Sequence, residues 1–231
     1  MSHTPVFDPV NHPVLGVDSH LSAIPSKRLT VANIRKQFLR SPQQFRSEVF
    51  GDYAQLDPTE LQLNAVKASV LIVIVDRPSP TLLLTMRSAN LKKHSGQISF
   101  AGGRLDESDS SNIHAALREA HEEIGLHPSC VEVLGELPTY LTGTGYLVTP
   151  VVGIVAPQMS LTLNPHEVTE VFEVPLDFLM NPGNHRRHAR EFQGKRREWF
   201  SMPFDQDGQD RFIWGATAGM IRNFYHFLMH E

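Results

Sequence analysis

A chain of 231 residues, 41% hydrophobic and 20% charged with a formal net charge of -4, is long enough for one substantial core and an added terminal piece. The slight negative charge gives no support to a general nucleic-acid binder, and Cys130, the only cysteine, excludes an intrachain disulfide and a cysteine zinc cluster. The longest apolar run, Val70 to Val75, is too short to span a membrane and the N-terminus lacks the basic start and apolar run of a secretory signal, so the expected location is cytoplasmic with no membrane partner.

Residues 1–29 are rich in Pro, His and Ser and show no sustained period, which predicts an N-terminal arm, extended or disordered. Residues 30–64 read as a helical or irregular segment. Thr30 caps a short helix on which Val31, Ile34 and Phe38 share a face, Ser41-Pro42 stops it, and Gln43 to Leu63 is polar and unassigned. From Lys67 the pattern becomes strand: Ser69 to Asp76 is β-branched and expected to be buried on both faces. Arg77-Pro78-Ser79-Pro80 makes a turn, and Thr81 to Met86 returns as an antiparallel partner. A loop carrying Lys92, Lys93 and His94 precedes a short strand, Gln97 to Phe100, that runs into Gly102-Gly103.

The next stretch, GGRLDESDSSNIHAALREAHEEIGL from Gly102 to Leu126, has the most specific chemistry. At about 100° per residue, Glu119, Glu122 and Glu123 fall within an arc of roughly 100° on a helix, with Ile113, Leu117, Ala120 and Ile124 nearly opposite. One face is therefore expected to meet a core and the other an acidic cleft. Asp109, Ser110 or Ser111 can cap the start, and Gly125 suits a left-handed terminator. Two carboxylates ~5 Å apart repel by ~3 kcal/mol at an effective dielectric near ~20. Either some are protonated or a cation sits among them, and oxygen donors suit Mg²⁺ or Mn²⁺ better than Zn²⁺. Arg118, four residues before Glu122, can hold that carboxylate in place. For an isolated acid triplet the alternative is a solvated acidic face.

Beyond Gly125 strands are predicted at Val131 to Leu137, Gly145 to Val155, Ser160 to Leu163 and Val171 to Val174, followed by a short helical piece, Pro175 to Leu179. Residues 181–198 read as a basic loop. Glu198 to Met202 and Arg211 to Trp214 read as strands around a turn at Asp205 to Asp210. Ala216 to Met229 closes the chain as an amphipathic helix bearing Met220, Ile221, Phe224, Phe227 and Leu228. The order indicates an α+β fold.

The REAHEEIGL block behind a paired glycine resembles the signature of the Nudix hydrolases, metal-dependent enzymes that cleave a diphosphate joined to another group. LLTMRSANLKKHSGQISFAGG, Leu83 to Gly103, is similar to the accessory motif of their coenzyme A pyrophosphatase branch at Leu83, Leu84, Thr85, Ser88, Gly96, Phe100, Gly102 and Gly103. The chain departs from the branch motif at Lys92, which stands in place of arginine, and at Ala101 in place of proline, and from the general Nudix pattern at Asp109 in place of glutamate. GTGYLVTPVVG (143–153), HEVTEVFEVPL (166–176) and FIWGATAGMIR (212–222) are similar to bacterial members of the branch.

The resemblance implies a Nudix domain over residues 65–231, with a mixed β-sheet sandwiched between helices, and Mg²⁺- or Mn²⁺-dependent hydrolysis of coenzyme A or its derivatives. It assigns Glu119, Glu122 and Glu123 to the metal and Arg118 to their orientation, with Glu122, Glu119 or Glu167 as general base. Gly102 and Gly103 would approach the substrate, and Lys92, Lys93 and His94 would neutralise the diphosphate or simply be solvated. Arg186, Arg187, Arg190, Lys195, Arg196 and Arg197 would either meet the 3'-phosphate or form a solvated loop, with Trp199 and Trp214 in the core. The alternatives are a pyrophosphatase for ADP-ribose or a dinucleotide, and a catalytically silent binding module. The arm and the last helix could build a homodimer contact.

Overall fold

The computed structural model describes residues 8–40, 51, 65–89, 95–192 and 195–230. The sequence expectations for Gln43 to Leu63 and for Lys92, Lys93 and His94 lie outside these described residues. In chain order the elements are β1 (Gly16–Val17), α1 (Val31–Leu39), β2 (Val66–Val75), β3 (Thr81–Arg87), β4 (Ile98–Ser99), β5 (Ala101–Arg104) and α2 (Asn112–Ile124). Then follow β6 (Glu132–Glu136), β7 (Tyr140–Leu141), β8 (Tyr146–Val155), β9 (Val168–Pro175), α3 (Leu176–Leu179), β10 (Arg186–Phe192), β11 (Lys195–Gln206), β12 (Gln209–Trp214) and α4 (Gly215–Met229).

The apolar strand β2 is the axis of a mixed sheet. It pairs antiparallel with β3 and β5 and parallel, from Val66 to Val75, with β8. Strand β3 also carries β4 and β9, and β8 carries β6 and β7. Alternate residues of β2 enter two separate cores. Leu71, Val73 and Val75 pack with Ala116, Ala120 and Ile124 of α2. Ala68, Ile72 and Ile74 belong to the cluster that holds Ile34 and Phe38 of α1 and Ile221 and Phe224 of α4. With both faces covered, the strand needs no polar alternation, and each fully buried Leu, Ile or Val contributes about 1.5–3 kcal/mol before entropic costs. The result is an α+β fold with a mixed sheet between helices, as the strand order implied.

Strands β1, β10, β11 and β12 form a second, antiparallel sheet. This corrects the reading of residues 181–198 as a loop. The basic residues hid a period of two: His188, Trp199 and Ser201 are buried, whereas Arg187, Arg196 and Glu198 are exposed. The expected turn at Asp205 to Asp210 shortens to Asp207-Gly208, both with positive φ (54° and 82°), the geometry that closes a two-residue hairpin.

Ser160 to Leu163 is not a strand. Met159, Leu161 and Leu163 do alternate onto the α2 core, which produced the strand-like pattern. The backbone bonds to the end of the helix instead of to a strand: Thr162 N–H donates to Ile124 O at 2.9 Å and Asn164 N–H to Glu123 O at 2.9 Å.

The described part of the arm packs on the body. Ile24 and Leu29 lie in the larger core, and buried Asp18 pairs with Arg187 at 2.6 Å and with fully buried Arg222 at 3.0 Å. Among the described residues no helix is long and apolar enough to cross a membrane.

Candidate active site

Helix α2 starts where Ser111 accepts a hydrogen bond from His114 N–H at 3.1 Å. Of the three candidate caps it is Ser111 that acts. The helix ends at Gly125, whose φ of 68° places it in the left-handed region and whose N–H reaches the carbonyls of Ala120 and His121. Ala120 and Ile124 are buried as the stripe predicts. Ala115 and Ala116 join them, while Ile113 and Leu117 are only partly covered.

The three glutamates of α2 differ in environment. The Glu122 side chain is 53% exposed, that of Glu119 16%, and that of Glu123 2%. Glu123 therefore lies at the buried base of the acidic face and not open on it. It is drawn under β5, where it accepts from Gly102 N–H at 3.1 Å and from Arg87 Nη1 at 3.4 Å. Burial pushes its carboxyl up to about 7, and the charges of Glu119 and Glu167 act in the same direction against Gly102 and Arg87. Burial also raises Glu119, opposed by Arg118 and reinforced by Glu122 and Glu167.

The paired glycines serve these acids. A Cβ on Gly103 would lie 2.5 Å from the Glu119 carboxyl atoms, and Gly102, at φ +156°, would bring a Cβ to 2.6 Å from Val70 Cα. Gly103 thus lets the Glu119 carboxylate lie against the strand backbone. Gly102 donates its amide to Glu123, so the described partner of this amide is a protein carboxylate.

Arg118 is the hub of the cluster. Its Nε and Nη2 donate to Asp109 Oδ1 and Oδ2 at 3.1 and 2.8 Å. Its Nη1 donates to Glu119 Oε1 at 2.9 Å and to Glu122 Oε2 at 3.0 Å, and Nη2 also reaches Arg104 O at 3.2 Å. The Arg118–Glu122 bond follows from helical spacing. The Asp109 grip does not: Asp109 stood out in the sequence only as a possible cap and a departure from the family pattern. Arg118 holds the Asp109 carboxyl down to about 2, and Asp109 in turn pushes the guanidinium further up. Arg87, the partner of Glu123, likewise carries no local signal, since 36 residues separate the two.

Glu167 reaches the same side through the loop after residue 163. Asn164 Nδ2 donates to Glu167 Oε1 at 3.1 Å, Ser88 N–H donates to Glu167 O at 2.8 Å, and its charge is felt at both Glu119 and Glu123. Among the described residues no three His, Cys, Asp or Glu groups converge as a ready ion site. Arg118 engages Glu119 and Glu122 instead. The donor chemistry fits a hard divalent cation nonetheless: the acidic groups offer carboxylate oxygens, and Glu119 and Glu123, raised first by burial, are raised further by neighbouring carboxylates that include Glu167.

A cavity of about 660 Å³ lies on the other side of β2 and β5, beneath α4; Arg87, Gly102 and Gly103 in its lining also meet Glu123 or Glu119, and Arg104 joins the cluster through its carbonyl to Arg118 while its guanidinium donates to Tyr146 Oη. Its apolar wall includes Val70, Phe100, Val148 and Met220, and Trp199 and Trp214, read from the sequence as core, line it too. The basic stretch divides here. Arg190 and Arg197 line the cavity, whereas Arg187 is taken by Asp18 and Arg196 by Glu198 at the surface.

A NUDIX domain family model matches residues 66–203. The chain is 48% identical over 163 residues to an uncharacterized Nudix hydrolase NudL of Escherichia coli (strain K12), covering 69% of this chain and 81% of the relative. The same values hold for the NudL of Shigella boydii serotype 18. Among solved structures, a C. elegans Ap4A hydrolase binary complex matches with a TM-score of 0.42 and 18% identity over 48% of this chain and 80% of that one. That distance says nothing about the substrate of this chain. The family match and the 48% identity to these relatives establish that the chain belongs to the Nudix hydrolases.

Proposed function

We propose that this Nudix pyrophosphohydrolase acts on coenzyme A or its acyl or oxidised derivatives, using water to give adenosine 3',5'-bisphosphate and 4'-phosphopantetheine, which keeps any acyl group or disulfide the substrate carried. The observation that carries this reading is the cavity that shares Gly102, Gly103, Arg87 and Arg104 with the acids and is walled by tryptophans and further arginines. Such a space suits a diphosphate flanked by an aromatic base and an additional anionic group. The likeness of Leu83 to Gly103 to the coenzyme A branch motif supports the same substrate.

In this reading Glu119, Glu122 and Glu123 hold the Mg²⁺ or Mn²⁺ ion, which when bound neutralises the diphosphate and makes water more acidic. Arg118 keeps Glu119 and Glu122 oriented, and Gly102 N–H fixes Glu123. The bare backbone at Gly103 leaves room for the Glu119 carboxylate itself, close against the strand that borders the cavity. Arg87 and Arg104, with Lys92, Lys93 and His94 from the motif, steady the diphosphate charge. Glu167 takes the proton from the attacking water as the oxygen–phosphorus bond forms and the bridging P–O bond breaks.

The test is to incubate the purified protein with coenzyme A, ADP-ribose, NADH and nucleoside triphosphates in Mg²⁺ or Mn²⁺. Coenzyme A is expected among the best substrates. A protein that cleaves ADP-ribose or a dinucleotide and leaves coenzyme A intact would overturn the reading.

A further inference from the structure

The hairpin of β10 and β11 sorts its arginines in a way that composition cannot. Arg190 and Arg197 are directly opposed partners in the antiparallel register, so their side chains leave the sheet on one face. Both are half-buried and both line the cavity. On the same face, two residues along each strand, His188 and Trp199 are also opposed and their rings stack at 5.4 Å and 8°. The cavity wall thus carries two guanidinium forks side by side and, next to them, a buried aromatic surface.

We infer that Arg190 and Arg197 form a clamp for a phosphomonoester of the substrate, separate from the diphosphate that is cleaved, and so make the enzyme selective for nucleotides carrying that extra phosphate. Two planar forks present paired donors to the oxygens of a dianion, a match that a lysine point charge lacks. Trp199 offers an apolar face beside the clamp. Arg87 and Arg104, at the border with Glu123 and Gly103, are the cations placed for the diphosphate. The inference rests on the proposed substrate class but can be tested apart from it.

The experiment compares wild type with the Arg190→Gln, Arg197→Gln double variant on coenzyme A and on dephospho-coenzyme A. The expected result is at least a ~10-fold loss of kcat/KM on coenzyme A, mainly through KM, with a loss on dephospho-coenzyme A at least ~5-fold smaller. Equal losses on the two substrates overturn the clamp. Calorimetry on the metal-free protein separates this outcome from failure of the substrate reading. Wild type should bind adenosine 3',5'-bisphosphate more tightly than AMP whether or not coenzyme A is cleaved, and the variant should lose that preference. No preference in wild type also overturns the clamp. If the double variant does not melt cooperatively, Arg190→Lys with Arg197→Lys retains the charge and should lose part of the preference; an undiminished preference counts against the clamp.

Discussion

Arg118 grips Asp109 through two bonds, at 3.1 and 2.8 Å, and so points its remaining donor at Glu119 and Glu122. The Asp109 side chain is fully buried in this contact. Replacing Asp109 by Ala leaves the guanidinium short of its main partner, and breaking a pair of this kind costs about 2–3 kcal/mol, less than in a dry interior because Arg118 is partly solvated. Asp109→Ala is expected to lower the melting temperature and, with Arg118 free to swing, to cut turnover by roughly tenfold. Thermal melts and steady-state rates measured together would test both parts.

The same carboxyl makes stability depend on acid. Its folded value of about 2 lies below the ordinary 3.8. Its contribution is therefore present above about pH 4 and is lost as pH falls from there toward 2, amounting to about 2 kcal/mol. Denaturant titrations from pH 5 to pH 2 should show a shallower loss in Asp109→Asn than in wild type. Parallel curves would refute the assignment.

Glu123 has the opposite sign. Its carboxyl is raised from 4.5 to about 7 by burial, so its neutral form suits the metal-free protein. This contribution is full below about pH 4.5 and is lost as pH rises through 7, a swing of about 3 kcal/mol at most. In EDTA, wild type should lose stability between pH 5 and pH 8, and Glu123→Gln should lose markedly less. Mg²⁺ at pH 8 should raise the wild-type melting temperature and leave that of Glu123→Gln nearly unmoved.

Glu122 is half exposed and contributes little to packing. Glu122→Gln is expected to melt like wild type while turnover falls at least ~100-fold, about 2.7 kcal/mol of transition-state stabilisation. Near-normal turnover would remove Glu122 from the metal set.

Alanine at the two glycines should act through different targets. At Gly103 the new methyl meets the mobile end of Glu119, so the expected result is a weaker metal response and at least tenfold lower activity, with about 1 kcal/mol or less of stability lost. At Gly102 it meets the backbone of β2 at a φ of +156°, and a loss of more than about 2 kcal/mol is expected. Metal titration and melting of both variants would reveal the contrast.

Much of the fold is legible in the residues because the signals are local. The β2 run, the α1 face of Val31, Ile34 and Phe38, the Ser111 and Gly125 caps and the Arg118–Glu122 pair all depend on neighbours within a few positions. Local pattern misleads where two environments share a period. Met159, Leu161 and Leu163 alternate like a strand while their backbone bonds to a helix end, and the arginines of β10 and β11 read as a loop because charge masks their alternation.

The amino-acid sequence by itself determined that an acidic helix follows a paired glycine, that Glu119, Glu122 and Glu123 share an arc, and that this block resembles the signature of the Nudix hydrolases. Only the tertiary structure decided that the three acids are unequal. Burial of Glu123 depends on β5 closing over it, the grip on Arg118 on a residue nine positions away, and the Arg190–Arg197 pairing on a hairpin register. Exposure and long-range partners are properties of what packs above a side chain, and no helical or strand period encodes them.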